Sequence, residues 1–192
     1  MASAVTESGE PSGPDGPPTV PEVSDTADLR SGPEINHTLL SVLPLVGDWA
    51  GHGEGLTPHD QNPFSYAQRV RFAHDGRPFL SYSSHTWLLN PDGSVLRPAF
   101  RENGFLRVSP GPDDLEFVVT ASVGSVAAFT GSAGDNRWEL ATGAVGFTPT
   151  AKQFSGERRL YALVGESLAY VQELALEAGQ FRPHLQAQLS RG

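Results

Sequence analysis

Histidines are the side chains in this sequence best suited to metal binding or acid–base chemistry near neutral pH, because an unperturbed imidazole titrates there. The sequence has six histidines and no cysteine. No two histidines are two or four residues apart, so the spacing does not indicate a closed zinc site. The absence of cysteine excludes a disulfide scaffold and a thiolate metal site. Any such chemistry would therefore depend on single histidines.

The local sequence predicts different surroundings for these histidines. His37 precedes the folded domain, His59 lies in a polar loop and His74 precedes an Asp-Gly turn, so all three are predicted to be solvated. His52 and His85 fall on predicted strands, and we interpret both as structural.

His184 lies in the last predicted strand, in the sequence Pro-His-Leu-Gln-Ala-Gln-Leu. Strict alternation along this strand would place Leu185, Ala187 and Leu189 on the core face. The same alternation would place the imidazole on the opposite face. Periodicity alone therefore predicts that His184 is solvated.

A glycine-rich segment surrounds Trp49 at the start of the folded region, with Gly47, Gly51, Gly53 and Gly55 all at odd positions. Four glycines would destabilise a helix by about 1 kcal/mol each, and the Lys-Ser or Lys-Thr pair of a phosphate loop is missing. A strand with one face reduced to hydrogen atoms lets another backbone or a flat ligand approach closely. We therefore predict a first strand with a crowded neighbour.

The chain divides by composition into residues 1–36 and residues 37–192. The first part has seven acidic residues, one basic residue, six prolines and no aromatic residue. It cannot bury enough apolar surface to offset the entropy cost of ordering, so we predict a disordered acidic tail followed by one domain. The domain is nearly neutral and lacks the clustered bases that nucleic-acid binding requires.

The domain is predicted to be all-β. Short alternating segments are separated by turn signals at a spacing of roughly 8–12 residues, after a short helical segment at 37–45 that is broken around Pro44. Residues 95–101 and 104–108 are predicted as two separate strands. Closure of the last strand onto the first would remove both exposed edges, so we predict a ten-stranded antiparallel up-and-down β-barrel of the lipocalin or fatty-acid-binding-protein type.

The sequence also bears on location. It has no run of 18 apolar residues, and its N-terminus lacks the basic and apolar regions of a signal peptide. We therefore expect a cytoplasmic protein without a membrane partner.

Several segments together carry a resemblance to a known family. Gly47-Asp-Trp-Ala-Gly-His-Gly53 matches the Gly-x-Trp-x-Gly-x-Gly motif that opens the nitrobindins, which are haem-binding β-barrels. Further matches follow in register as far as Arg191, at residues 77–82, 87, 102–107, 151–152, 159–161, 168–170 and 184–189. The sequence thus resembles an actinobacterial-type nitrobindin over nearly the whole predicted domain.

The resemblance implies one non-covalent haem b per chain, with His184 as the proximal ligand of the iron. It implies that Lys152 lies near a haem propionate and that Phe100 and Leu174 pack on the distal side. The residues implied to contact haem in addition are Gly47, Trp49, Gly51, Gly53 and Thr57. No catalytic residue beyond the haem iron is expected.

The activity that the resemblance implies is the isomerisation of peroxynitrite to nitrate at ferric haem, which protects tyrosine from nitration. The ferrous form would bind NO reversibly, and a homodimer is compatible with this function. The alternative is a non-enzymatic barrel that senses haem or NO, or that carries a hydrophobic ligand. A third possibility is a barrel that has lost its haem.

Overall fold

The structure, a computed structural model, describes residues 25–109, 111 and 114–192. It is a closed barrel of ten antiparallel strands that follows one short 3₁₀ segment, His37–Leu45. The strands are β1 (Gly47–Leu56), β2 (Pro63–Ala73), β3 (Leu80–Leu89), β4 (Val95–Val108), β5 (Asp114–Ala121), β6 (Ser125–Gly134), β7 (Arg137–Phe147), β8 (Gly156–Val164), β9 (Ser167–Ala175) and β10 (Phe181–Arg191). The predicted fold class is confirmed.

Each strand pairs with the next along the chain, and β10 pairs with β1 to close the sheet. The closing register runs from Trp49 opposite Arg191 to Gly55 opposite Leu185. Closure removes the free edges that a ten-stranded meander would otherwise expose. One predicted boundary is wrong: residues 95–108 form the single strand β4, because Glu102 and Asn103 continue the pairing with β3 and β5.

One end of the barrel is filled by apolar side chains and closed by the 3₁₀ segment. Leu39, Val42 and Leu45 of this segment are buried. The indole of Trp138 donates a hydrogen bond to the carbonyl of Ser41 at 2.8 Å, which ties the segment to β7. The plugged end therefore supplies a fixed core beneath the open end of the barrel.

The chain contacts the barrel before the predicted domain boundary at residue 37. Thr26 and His74 form an antiparallel bridge with two backbone hydrogen bonds, of 2.8 and 2.9 Å. The side chain of Asn36 accepts a hydrogen bond from the backbone of Thr38 and begins the 3₁₀ segment. Residues 1–24 of the predicted tail lie outside the described residues.

His74 is buried, with 1% of its surface exposed, and the prediction that it is solvated is wrong. It follows Val70 and Phe72 in the alternation of β2, so its side chain shares their inward face. The bridge to Thr26 covers its backbone. The Asp-Gly turn that suggested exposure begins only after this residue.

Candidate functional site

Two cavities meet at His184, at the barrel end opposite the 3₁₀ segment. The large cavity has a volume of about 690 Å³ and lies among the ends of β1, β2 and β10 and the β3–β4 hairpin. The small cavity has a volume of about 140 Å³ and lies among β4, β5, β6, β8 and β9. His184 lines both cavities. This imidazole is therefore placed to contact a ligand in either one.

His184 faces the cavities because β10 contains a β-bulge. Pro183 pairs with Glu173 and Leu185 pairs with Gln172, so His184 has no partner residue on β9. An extra residue in one strand breaks the alternation and re-aims a side chain. This corrects the expectation from strict periodicity that His184 is solvated. Pro183 was the available sequence signal, because proline inside a strand often marks a bulge.

The tautomer of His184 is fixed by one hydrogen bond. Its Nδ1 lies 2.7 Å from the carbonyl oxygen of Leu56, and a carbonyl can only accept, so Nδ1 carries the hydrogen. Burial lowers the pKa of His184, although the hydrogen bond to Leu56 acts in the opposite direction. The imidazole is therefore neutral, and Nε2 has no hydrogen-bond partner among the described residues. Such a nitrogen is available as a metal ligand.

The large cavity suits a flat apolar ligand. Its walls are mostly apolar, and they include Leu56, Phe64, Leu88, Leu89, Leu96 and Leu185. Its volume lies within the range of about 300–1,000 Å³ that is typical of ligand and cofactor sites. In the described part of the chain, no three His, Asp or Glu residues are grouped so as to hold a metal ion by themselves. A single neutral imidazole beside an apolar cavity fits haem, which brings four of its own nitrogen ligands and needs an axial one from the protein.

A buried ionic cluster forms part of the wall of the small cavity. The guanidinium of Arg159 donates to both carboxylate oxygens of Glu102, at 2.6 and 2.9 Å, and its Nε donates to Glu157. The hydroxyl of Tyr82 donates to Glu102 at 2.8 Å. Glu102, Glu157 and Arg159 are each 5% exposed or less. One guanidinium thus donates hydrogen bonds to two buried carboxyl groups.

The cluster shifts the pKa values of its members. Burial raises the pKa of Glu157, and the charge of Glu102 adds to this rise while Arg159 opposes it. Burial acts to lower the pKa of Arg159, but the two carboxyl groups raise it well above its ordinary value. Arg159 is therefore charged, and the pKa of Glu157 lies above the ordinary value of a carboxyl group.

Four of the residues predicted for the site lie around the small cavity. Phe100 of β4, Leu174 of β9 and Lys152 of the β7–β8 loop line it together with His184. Lys152 is exposed, so its ammonium group lies at the mouth of this cavity. The structure thus brings a cation, two apolar side chains and an imidazole to one place.

The other five predicted residues line neither cavity. Trp49 is buried in the core, and its indole donates to the carbonyl of Leu45 at 2.8 Å. Gly47 lies near the side chain of Arg191, at the plugged end. The hydroxyl of Thr57 accepts a hydrogen bond from the backbone of Asn62 within the β1–β2 loop.

Gly51 and Gly53 have a packing role instead. A Cβ atom at Gly51 would overlap the carbonyl oxygen of Gln188, and one at Gly53 would overlap that of Gln186. The close approach that these two glycines allow is that of the β10 backbone and, at Gly53, also that of the ring of Tyr66. Gly55, which was not predicted as a site residue, lines the large cavity.

The small cavity has a charged wall that no local sequence pattern predicts. Glu102, Glu157, Arg159 and Gln172 line it beside the predicted apolar residues. The spacing of Glu157 and Arg159 places both on one face of β8, which was the available local signal. Glu102 lies 57 positions away from Arg159, and no pattern in the sequence links the two.

Comparisons with known proteins agree with this architecture. A family model described as "THAP4-like, heme-binding beta-barrel domain" matches residues 38–191. A protein of Saccharopolyspora erythraea named "Ferric nitrobindin-like protein" is 45% identical over 90% of this chain and 82% of its own length. A protein of Rhodococcus jostii named "Peroxynitrite isomerase 2" is 42% identical over 90% of this chain and 84% of its own length.

A solved structure shares the same fold. The crystal structure of Rv2717c from M. tuberculosis matches with a TM-score of 0.72 and 32% sequence identity, over 83% of this chain and 99% of that one. In the part of the chain that the structure describes, no helix is both long and apolar enough to cross a bilayer.

Proposed function

The chain belongs to the family of THAP4-like haem-binding β-barrel domains, and we propose that it binds one non-covalent haem b per chain with His184 as the axial ligand of the iron. The observation that carries this proposal is the bulge of β10, which directs a neutral imidazole with a free Nε2 to the junction of two cavities. The bond from Nδ1 to Leu56 holds the ring in place and makes Nε2 a better ligand.

The proposed activity is the isomerisation of peroxynitrite to nitrate at ferric haem, with reversible NO binding by the ferrous form. Relatives named peroxynitrite isomerase support it, including the Rhodococcus jostii protein. When bound, haem supplies a Lewis-acidic iron that can polarise an oxygen of peroxynitrite. The apolar walls of the large cavity would exclude bulk water and outside phenols, and Lys152 at the mouth of the small cavity would attract an anionic reactant. Because reactant and product are isomers, no net proton is needed.

Replacement of His184 by alanine tests the haem site. We expect His184→Ala to lose haem uptake, measured as the Soret absorbance during titration with haem. The apo-protein should keep nearly the same unfolding temperature, because the imidazole is only half-buried. His52→Ala is the matched control, since His52 is exposed on β1 and lines neither cavity. An unchanged ferric spectrum in His184→Ala would show that another residue binds the iron.

A non-enzymatic sensor or carrier is the second candidate, because the mostly apolar walls of the large cavity also suit a hydrophobic ligand. Two measurements on the purified protein separate the candidates. Haem uptake without protection of free tyrosine from nitration by peroxynitrite would favour a haem or NO sensor. Uptake of an apolar dye without haem uptake would favour a carrier. The absence of cysteine favours a reducing compartment, so we also propose a cytoplasmic location.

A further inference from the structure

The small cavity contains a buried amide whose donors are not used by the barrel. Gln172 of β9 is 6% exposed and lines this cavity. The hydroxyl of Tyr170 hydrogen-bonds to Oε1 of Gln172, which fixes the orientation of the amide. The Nε2 group then has two N–H donors and no acceptor among the described residues. These two N–H groups are reached from the cavity, so an acceptor inside the cavity, either water or a ligand, can bind them.

Glu157 supplies a second donor to the same space. One of its oxygens accepts from Nε of Arg159, and the other has no hydrogen bond from the described residues. Both terminal nitrogens of Arg159 are bound to Glu102, whose oxygens also accept from Tyr82. Burial and the charge of Glu102 raise the pKa of Glu157, so its carboxyl group holds a proton to a higher pH than an exposed carboxyl group does. Glu157 lines the cavity wall.

The summed charge of the side chains around the small cavity favours the binding of an anion. Arg159 and Glu102 cancel each other, Glu157 is neutral while it holds its proton, and Lys152 contributes a positive charge at the mouth. Most of the other wall residues are apolar, among them Phe100, Val119, Ala127 and Leu174. The volume of about 140 Å³ corresponds to about five water molecules at liquid density, which is enough for a flat anion of four heavy atoms.

We propose that the small cavity is a binding subsite for a small oxyanion of the nitrate class. The Nε2 group of Gln172 and the protonated carboxyl group of Glu157 donate hydrogen bonds to its oxygens, and Lys152 attracts it to the mouth. The proposal rests on the proposed function, in which nitrate is the product, and it places that product beside His184. If the cluster has only a structural role, the cavity holds water and nitrate has no special effect.

The test is a calorimetric titration of the full chain with sodium nitrate, before and after haem loading, against sodium chloride at equal ionic strength. We expect saturable binding of nitrate and none of chloride. Gln172→Glu replaces both donors by acceptors, and Gln172→Leu removes them. Each variant should weaken nitrate binding at least tenfold, because hydrogen bonds to a charged group are stronger than those between neutral groups. Glu173→Gln is the control, because Glu173 follows Gln172 on β9 and lines neither cavity.

The pH dependence identifies Glu157. Nitrate binding should be strongest while Glu157 holds its proton and should weaken as the pH rises through its folded-state pKa. Glu157→Gln keeps a neutral donor at every pH, so its nitrate binding should persist without this decline. The other charged or titratable groups facing the cluster or its cavity are Glu102, Arg159, Lys152, His184, Tyr82, Tyr161 and Tyr170. If the decline remains in Glu157→Gln, one of these groups causes it and the assigned role of Glu157 is overturned.

The outcomes separate this inference from the proposed function. Nitrate binding by a chain that takes up no haem would support the subsite and contradict the haem proposal. Haem uptake together with identical responses to nitrate and chloride would support the haem proposal and contradict the subsite. It would show that the cavity holds water only. Circular dichroism of each variant confirms that it is folded, and if Gln172→Leu and Gln172→Glu both unfold, Glu157→Gln alone decides the outcome.

Discussion

Arg159 offsets the negative charge of the carboxyl groups that are buried inside the barrel. Its guanidinium is buried, and it contacts Glu102 and Glu157 as well as the ring of Phe129, whose centroid is 5.0 Å away. A buried ion pair can be replaced at little cost when both partners are removed, but removal of one partner leaves an uncompensated charge. The interior of this barrel is therefore most sensitive to loss of its central cation.

We expect Arg159→Met to lower the free energy of unfolding by about 3–5 kcal/mol, because two carboxyl groups would then share a buried space without a cation. Urea unfolding at neutral pH measures this change. Arg107→Met is the control, since Arg107 is exposed and its pairing with Glu116 spans 3.5 Å. That control should change the stability by less than about 1 kcal/mol. Equal effects of the two substitutions would contradict a structural role for the central cation.

The residues of the site differ in how far the sequence could predict them. His184 was identified through resemblance to a family, whereas its periodicity pointed to solvent. The buried ionic cluster was not predicted, because Glu102 and Arg159 come into contact across the barrel from strands that are not neighbours. Contacts between distant strands depend on closure of the sheet, and no local pattern records them.

At the scale of elements, β1 and β10 form the seam that closes the barrel. Gly51 lies opposite Leu189 in this seam, and its missing side chain lets the backbone of Gln188 come close. The bulge at Pro183 lies earlier on β10 than Leu189, so the same strand both closes the sheet and directs His184 toward the cavities. Tight packing at the seam should therefore hold the imidazole in position.

We predict that Gly51→Ala destabilises the barrel by about 1–3 kcal/mol, because its Cβ would overlap the carbonyl oxygen of Gln188 and force the backbone to move. Thermal or urea unfolding reports the change. Gly143→Ala on β7 is the matched control: its nearest atom, the carbonyl oxygen of Ala128, would lie 4.0 Å from the new Cβ. The control should be neutral or slightly stabilising. If the two variants have the same free energy of unfolding, close packing between β1 and β10 does not contribute to stability.

Most elements were predictable because turn residues and alternation recur at regular spacing. The exceptions have physical causes. β4 was predicted as two strands, but Asn103-Gly104 forms no turn here and stays paired with both neighbouring strands. Glu102 continues the alternation with its side chain inside. The bulge in β10 was missed because counting every second residue cannot register an inserted one.

In the molecule as a whole, the residues that stabilise the fold and the residues that line the cavities lie at opposite ends of the barrel. The plugged end holds buried aromatic and aliphatic side chains together with the 3₁₀ segment. The open end holds both cavities and His184. The N-terminal contacts, between Thr26 and His74, belong to the plugged end. Changes at the N-terminus should therefore affect unfolding and leave ligand binding intact.

Two truncations test this separation. Removal of residues 1–24 should leave both the free energy of unfolding and the haem affinity unchanged, because the described N-terminal contacts begin at residue 25. Removal of residues 1–36 should cost roughly 2–3 kcal/mol, since it deletes the two backbone bonds between Thr26 and His74 and the Asn36 cap, each contributing about 1 kcal/mol. Urea unfolding and Soret titration measure the two quantities. A shorter truncation that already destabilises the barrel, or a longer one that weakens haem binding while the protein stays folded, would show that the two ends are coupled.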